Sequence, residues 1–243
     1  GVVDFKTALE QSLNTGSIYV AQLLGKTRFL KYIEVFRLNS RAEVDFPILE
    51  EPNFKNLKDP GREVNFGTAS FGQGIALSPF NLIQSFNAFS NNGKIIKLNF
   101  VKEIIFADGS KKENKPQVVS QVLKKETLET ILPILEGVVE NQAKKAKIRG
   151  FKIAGKTGSA LIPAAKETPE SPFGYTEEAI TNFIGFLPIS DPRYIVLVRL
   201  DKPAPGLLSF GTAVPTFRKV AEFLINYYNI EPDKFEEIVK ELY

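Results

Sequence analysis

Two short motifs contain the residue types that could support serine chemistry in this chain. They are Ser12-Leu13-Asn14 and Lys156-Thr157-Gly158-Ser159. A lysine that faces a serine hydroxyl can pass a proton when burial or a neighbouring cation lowers its pKa. An asparagine amide can both donate to and accept from a substrate peptide group. The chain has no histidine and no cysteine, so any serine mechanism must use lysine as its base.

The second motif offers groups that could bind an extended substrate. Gly158 has no Cβ, so a substrate backbone could lie along the strand edge. The hydroxyl groups of Thr157 and Ser159, next to Lys156, suit a terminal carboxylate. Each motif alone is weak evidence of function, because Ser-x-Asn is usually a cap or turn and Thr-Gly is common at strand ends. The alternative is that Ser12 only ends a helix and that Lys156 is solvated.

The bulk composition is that of an ordinary globular domain. Of the 243 residues, 43% are hydrophobic and 24% are charged, which is enough apolar surface to bury a core. The net charge of +3 is too small to indicate nucleic-acid binding, and no aromatic and basic motif supports it. No stretch approaches the roughly 18 apolar residues of a membrane span. The absence of cysteine excludes disulfides and thiolate metal sites.

Helix signals dominate the first part of the chain. Asp4 is expected to cap a short helix through Leu9. Further helices are predicted over 17–24, over 27–38, from Ser78-Pro79 to Asn92-Gly93, and over 127–141 with Pro133 inside. The stretch 41–65 has little periodicity and is predicted to be mostly loop. Alternation over 100–106, followed by Asp108-Gly109, predicts a hairpin.

Strand signals dominate the last third of the chain. Strands are predicted over 153–162, 180–187 and 194–201, followed by helices near 215–227 and 232–242. The tight turn at Asp191-Pro192-Arg193 predicts that the second and third strands are antiparallel. The outline is an α+β fold, with a helical lobe over about 1–150 and an antiparallel sheet with flanking helices over about 151–243.

The two motifs, in this order, resemble those of penicillin-binding proteins and serine β-lactamases. Several further segments are similar to the class B penicillin-binding proteins, the division and elongation transpeptidases. They are Ser12-Leu13-Asn14-Thr15-Gly16, Ser70-Phe71-Gly72-Gln73-Gly74, Asn91-Asn92-Gly93, Leu135-Glu136-Gly137-Val138-Val139, Ala154-Gly155-Lys156-Thr157-Gly158, Phe183-Ile184-Gly185-Phe186 and Asp191-Pro192-Arg193-Tyr194. The resemblance covers essentially the whole chain. The Phe-Gly-Gln-Gly segment favours class B, and the division-specific type is the most similar.

The resemblance implies a penicillin-binding protein/serine β-lactamase-like transpeptidase fold, with residues 1–243 as the C-terminal part of that domain. It implies a D,D-transpeptidase that cross-links peptidoglycan stem peptides through a serine acyl-enzyme and that β-lactams acylate. The catalytic residues would be Ser12, Asn14 and Lys156, converging across one cleft. The substrate-binding residues would be Thr157, Gly158 and Ser159. The resemblance implies no metal or organic cofactor. Besides stem peptides and β-lactams, the implied partners are the division or elongation machinery, and no nucleic acid is implied.

The acylating Ser-x-x-Lys motif of the family does not occur in the chain. No serine is followed by lysine three positions later. In the family this motif precedes Ser-x-Asn by some tens of residues, so we expect it upstream of Gly1 and expect these residues alone to be inactive. An incomplete sheet of three main strands should follow, with the strand at 153–162 at its edge. The resemblance also implies an extracytoplasmic location and an N-terminal membrane anchor outside these residues.

The sequence departs from the family pattern at two positions and leaves two alternatives open. Ser159 stands where threonine is more usual in the family, and Leu161 stands where glutamine is common. One alternative is a catalytically inactive relative that serves as a scaffold; a Ser-x-x-Lys upstream of Gly1 would argue against it. The other is a β-lactamase or β-lactam sensor domain. The segment 71–74 and the long stretch between the two motifs argue against this second alternative.

Overall fold

A computed structural model describes residues 1–45, 50–58, 62–164, 174–204, 208–235 and 237 of the chain. Backbone contacts divide the chain into two units. The first comprises Gly1–Val20, Ser70–Gln73 and Thr130–Tyr243, and the second comprises Ala21–Ala69 and Gly74–Glu129. The predicted division near residue 150 into a helical lobe and a sheet part stays a prediction.

Helices and strands both occur throughout the described chain, as expected for an α+β fold. The helices are α1 (Phe5–Glu10), α2 (Asn14–Leu24), α3 (Lys26–Val35), α4 (Glu63–Ala69), α5 (Pro79–Ser90), α6 (Lys125–Gly137) and α7 (Ala213–Tyr228). The strands are β1 (Lys94–Ile96), β2 (Glu103–Ile105), β3 (Lys111–Glu113), β4 (Val118–Gln121), β5 (Ala154–Pro163), β6 (Tyr175–Leu187) and β7 (Tyr194–Asp201). The predicted helix at 232–242 lies mostly outside the described residues.

The main sheet of the first unit has the order β5-β6-β7, and both strand pairs are antiparallel. This confirms the three predicted strands and their direction. In the described chain β5 pairs with β6 alone and is therefore an edge strand, also as predicted. The start of β6 at Tyr175 is five residues earlier than predicted. The cause is that β5 and β6 continue their pairing as far as Pro163 and Tyr175, beyond the apolar run that marks the strand in the sequence.

The core of the first unit lies between the sheet and α7. Helix α7 buries apolar side chains at helical spacing, including Phe217, Ala221 and Ile225. Phe217 meets Phe183 of β6 edge to face, with ring centroids 4.7 Å apart. Such an aromatic pair contributes about 1 kcal/mol of stability beyond the contribution of its buried area. The packing fixes β6, and through the β5–β6 ladder it fixes the strand that carries Lys156.

The structure corrects the prediction of two other helices. Helix α2 begins at Asn14 rather than near Ser17, because the Leu13 carbonyl already accepts the amide of Ser17. Helix α6 ends at Gly137, and a π-helical turn over Val138–Gln142 follows it directly. The predicted helix over 127–141 therefore changes its hydrogen-bond pattern in its last turn. The predicted cap is confirmed, since Asp4 Oδ1 accepts the amide of Thr7 at 2.7 Å.

The second unit contains the predicted helix α5 and the predicted hairpin. Ser78 caps α5 with a reciprocal capping box, and β2 pairs with β3 around Asp108-Gly109. The sequence prediction missed α4 and the short pair β1–β4. Helix α4 has seven residues and little periodicity. Its Phe66 and Ala69 pack in a small apolar cluster with partners distant in sequence, which is support that a local pattern cannot reveal.

Candidate active site

Ser12 lies in the turn between α1 and α2, in a left-handed backbone conformation with φ of 54°. The amide of Ser12 donates to the carbonyl of Leu9, and the amide of Leu13 donates to the carbonyl of Ala8. These two bonds form a Schellman motif, in which glycine is the usual left-handed residue. A serine there has an energetic cost, because a Cβ is unfavourable at positive φ. Strained backbone of this kind is common at functional sites.

Glu10, the last residue of α1, fixes this helix against the π-helical turn that follows α6. Its side chain is buried, at 8% exposure, and its Oε2 accepts the side-chain amide of Asn141 at 2.8 Å. Its Oε1 lies against Gly137, where a Cβ would come within 2.0 Å of that oxygen. Lys6 is the nearby cation, with Nζ 3.8 Å from Oε1. Glu10 thereby holds the end of α1, two residues before Ser12.

Lys156 lies in β5, opposite Ile184 of β6. Its Nζ donates to the Ser12 hydroxyl at 2.6 Å and to the carbonyl of Thr157 at 3.3 Å. Ser12 and Lys156 are 144 positions apart in the sequence, so the predicted meeting of these two side chains is confirmed. Burial lowers the pKa of Lys156 to about 8, because the ammonium loses hydration that its neighbours do not replace.

Asn14 is the first residue of α2 and is exposed. Within the described residues, no hydrogen bond joins its side chain to Ser12 or Lys156. It lies two residues after Ser12, at the start of α2. Convergence of all three residues on one cleft therefore stays a prediction for Asn14.

Gly158 follows Thr157 in β5 and lies opposite Asn182 of β6. A Cβ on Gly158 would come within 2.5 Å of Asn182 Oδ1. A residue with a Cβ at this position would therefore require the side chain of Asn182 to move. Asn182 is a polar residue within the apolar run of β6, and it shares a sheet face with Lys156, because alternate residues of a strand lie on one face.

Ser159 is exposed, and its hydroxyl meets that of Ser209 at 2.7 Å. Ser209 lies in a single 3₁₀ turn, Ser209–Gly211, just before α7. The hydroxyl of Ser209 donates to the carbonyl of Gly158. The middle of β5 is therefore connected to a turn that sequence analysis did not single out.

Sequence analysis missed Glu10, Asn182 and Ser209. Each acts through a residue distant in sequence, and a lone Glu, Asn or Ser carries no spacing signal. The one detectable hint was the position of Asn182 inside an otherwise apolar strand.

The described residues contain no group of three or more His, Cys, Asp or Glu that could hold a metal ion. In the same residues, no helix is both long enough and apolar enough to span a bilayer.

Comparison with solved structures identifies the fold. The crystal structure of penicillin binding protein 3 from Mycobacterium tuberculosis complexed with aztreonam has a TM-score of 0.80 and 23% identity, covering 93% of this chain and 52% of that one. The apo structure of the TP domain of Burkholderia pseudomallei penicillin-binding protein 3 has a TM-score of 0.77 and 23% identity, covering 94% of this chain and 65% of that one. At these identities the likeness establishes the fold: that of a penicillin-binding protein transpeptidase domain.

Sequence comparison identifies the family. The model of the penicillin binding protein transpeptidase domain matches residues 1–222. The chain therefore belongs to the penicillin-binding protein transpeptidase family.

The curated relatives of the chain carry names from cell-wall synthesis and sporulation. A peptidoglycan D,D-transpeptidase FtsI homolog of Mesostigma viride is 30% identical over 92% of this chain and 40% of its own length. Stage V sporulation protein D of Bacillus subtilis is 30% identical over 88% of this chain and 32% of its own length. The chain thus spans well under half the length of these relatives.

Proposed function

We propose that residues 1–243 form the C-terminal part of the transpeptidase domain of a peptidoglycan D,D-transpeptidase, with a helical lobe over about 1–150 and a sheet part over about 151–243. The longer protein would attack the D-alanyl-D-alanine end of a stem peptide and release the last D-alanine. It would then pass the acyl group to an amine on a neighbouring stem. Family membership and the names of the relatives support this reaction class.

The hydrogen bond from Lys156 to Ser12 is the observation that carries the proposal. Because the lysine donates, the Ser12 hydroxyl keeps its own proton free for the substrate. In the proposed reaction Ser12 gives that proton to the leaving amine, and the Lys156 ammonium replaces it on Ser12. A lysine pKa of about 8 suits this transfer, since a general acid works best with a pKa near the operating pH.

The nucleophile in this proposal is the serine of a Ser-x-x-Lys motif, which none of the serines in these residues provides. Asn14 would bind a peptide group of the substrate through its amide. Thr157 and Ser159 would bind the terminal carboxylate together with Lys156, and Gly158 would contribute its backbone. β-Lactams would acylate the same nucleophile. The longer protein would act outside the cytoplasmic membrane, held by an N-terminal anchor, together with the division or elongation machinery.

Labelling with a fluorescent penicillin tests the proposal. The 243-residue chain should remain unlabelled, and the longer protein from the same gene, with its Ser-x-x-Lys, should be labelled. In the longer protein Lys156→Ala should slow acylation by about 100-fold or more, the scale of a lost general acid or electrostatic group. The control Lys202→Ala removes an exposed lysine at the end of the sheet and should leave the rate unchanged.

Other outcomes would favour the alternatives. Labelling of the 243-residue chain would mean that the nucleophile is one of its own serines. A folded longer protein that is never labelled would support the inactive scaffold. Rapid hydrolytic release of the bound penicillin would support a β-lactamase instead.

The acylation rate should also depend on pH. The proposed relay needs the Lys156 ammonium, so the rate should fall as pH rises through about 8, the pKa of that lysine. A rate that instead rises across this range would show that neutral Lys156 is the active form, acting as a base.

A further inference from the structure

The hydroxyl groups of Ser159 and Ser209 share protons in a defined direction. Ser209 is 1% exposed, and its hydroxyl donates to the carbonyl of Gly158. A serine hydroxyl has a single proton. Since Ser209 gives its proton to Gly158, the 2.7 Å bond between the two hydroxyls must be donated by Ser159. The proton of Ser159 is therefore directed into the protein.

Ser209 also engages Ser159 through its backbone. The Ser209 amide donates to the Ser159 hydroxyl oxygen at 3.3 Å. Ser159 thus donates to and accepts from the same residue, and one lone pair remains for a ligand. Thr157 differs, because no described residue forms a hydrogen bond with its hydroxyl.

A second pair of hydroxyls fixes the same turn on the sheet. Thr181 lies opposite Ser159 in the β5–β6 ladder. Its hydroxyl is 2.9 Å from that of Thr212, and both residues are buried. Thr212 donates to the carbonyl of Leu208, so Thr181 must donate to Thr212. In both pairs a strand residue donates to a residue at or next to the turn. Together the two hydrogen bonds fix the position of Ser209 relative to the sheet.

We propose that Ser209 is a specificity-determining residue that withholds the Ser159 proton from anionic ligand groups bound along β5. The proposal rests on the proposed function, in which β5 binds a carboxylate, and it refines the role of Ser159: Ser209 holds the proton that Ser159 would otherwise give to that carboxylate. A carboxylate only accepts hydrogen bonds, so it competes with Ser209 for the proton of Ser159. Thr157 and Lys156 then provide most of the binding, while an uncharged group with an N–H donor can use the free lone pair of Ser159.

The test is acylation of the longer protein by benzylpenicillin, which carries a carboxylate, and by its methyl ester, which does not. Ser209→Ala should raise the second-order acylation rate constant for benzylpenicillin about ten-fold, the lower end of the scale of one added hydrogen bond to a charged group. The methyl ester should show no such gain. The gain should vanish in the double variant with Ser159→Ala and persist with Ser159→Thr, which keeps a hydroxyl. Ser209→Cys, a smaller perturbation, should change the rate in the same direction.

Ser190→Ala is the matched control, because it removes a serine hydroxyl that bonds to Asp233 beyond the end of β6, away from Ser159. It should not change the ratio of the two rate constants. The role of Ser209 is overturned if Ser209→Ala changes both probes equally, or if its effect is the same with serine and with alanine at position 159.

Amide hydrogen exchange distinguishes a wrong role for Ser209 from a wrong proposed function. Ser159→Ala removes the acceptor of the Ser209 amide, so that amide should exchange faster, whether or not the protein reacts with penicillin. Acylation without coupling between the two serines overturns the role of Ser209 alone. A folded wild-type protein that neither probe acylates overturns the transpeptidase function and, with it, this specificity role.

Discussion

Ser12 and Lys156 meet at one hydrogen bond, but the two residues are held in place in different ways. Lys156 lies in a strand that pairs with β6 along most of its length, and β6 packs on the apolar face of α7. Ser12 lies in an exposed turn after a six-residue helix. The main attachment of that helix is the buried side chain of Glu10.

This difference indicates where the site is sensitive. Many backbone hydrogen bonds set the position of Lys156, so replacing its side chain should leave the strand in place. A few side-chain contacts set the position of Ser12, so a single change behind α1 should move it. Both residues also have an energetic cost, Lys156 through lost hydration and Ser12 through its left-handed backbone. Such costs are expected where function requires a geometry that stability does not favour.

Gly137→Ala should have the largest effect, because it breaks the attachment of α1. Its new Cβ would overlap with Glu10 Oε1, and overpacking of this kind should lower the free energy of unfolding by about 3 kcal/mol. Urea denaturation measures the loss.

The matched variant for this prediction is Gly137→Ala combined with Glu10→Ala. With the carboxylate removed, alanine at position 137 should be neutral or stabilising relative to Glu10→Ala alone, because alanine favours helix by about 1 kcal/mol over glycine. An equal loss in both backgrounds would show that Glu10 does not constrain this position.

Lys156→Met should stabilise the protein by about 2 kcal/mol at pH 7, because removing a poorly hydrated ammonium outweighs the loss of its hydrogen bonds to Ser12 and to the carbonyl of Thr157. The folded pKa is about 8 and the ordinary value is 10.5, so the unfolded chain binds more protons between these two values. The wild type therefore gains stability as pH rises through this range. The advantage of the variant should be full below pH 8 and should fade towards pH 10.5.

Denaturation at several pH values measures this effect, with Lys202→Met as the exposed control. A stability difference for Lys156→Met that does not change between pH 7 and pH 10.5 would contradict the lowered pKa.

Ser12→Gly should have the smallest effect of the three and should be more stable than Ser12→Ala by about 1 kcal/mol, because glycine adopts positive φ without strain. Ser17 within α2 is the matched position, and there alanine should be more stable than glycine by a similar amount. Thermal or urea unfolding of the four variants gives both differences. The same order at both positions would argue against the left-handed conformation of Ser12.

Local patterns in the sequence were sufficient for much of the fold. The period of apolar residues predicted α5 and α7, the Asp191-Pro192-Arg193 turn predicted antiparallel β6 and β7, and Ser78-Pro79 predicted a capped helix start. Each of these features depends on neighbours within a few residues. Local patterns did not predict helix α4, because its stability comes from packing against residues distant in the chain.

By itself the sequence determined the chemical groups of the candidate site: a serine, an asparagine and a lysine, with no histidine or cysteine available. Tertiary structure decided the contact between Ser12 and Lys156, and burial decided the lowered pKa of that lysine. It also decided the proton direction between Ser159 and Ser209. The physical reason is distance along the chain: periodicity and capping act over a few residues, whereas desolvation and these hydrogen bonds depend on groups 50 to 144 positions apart.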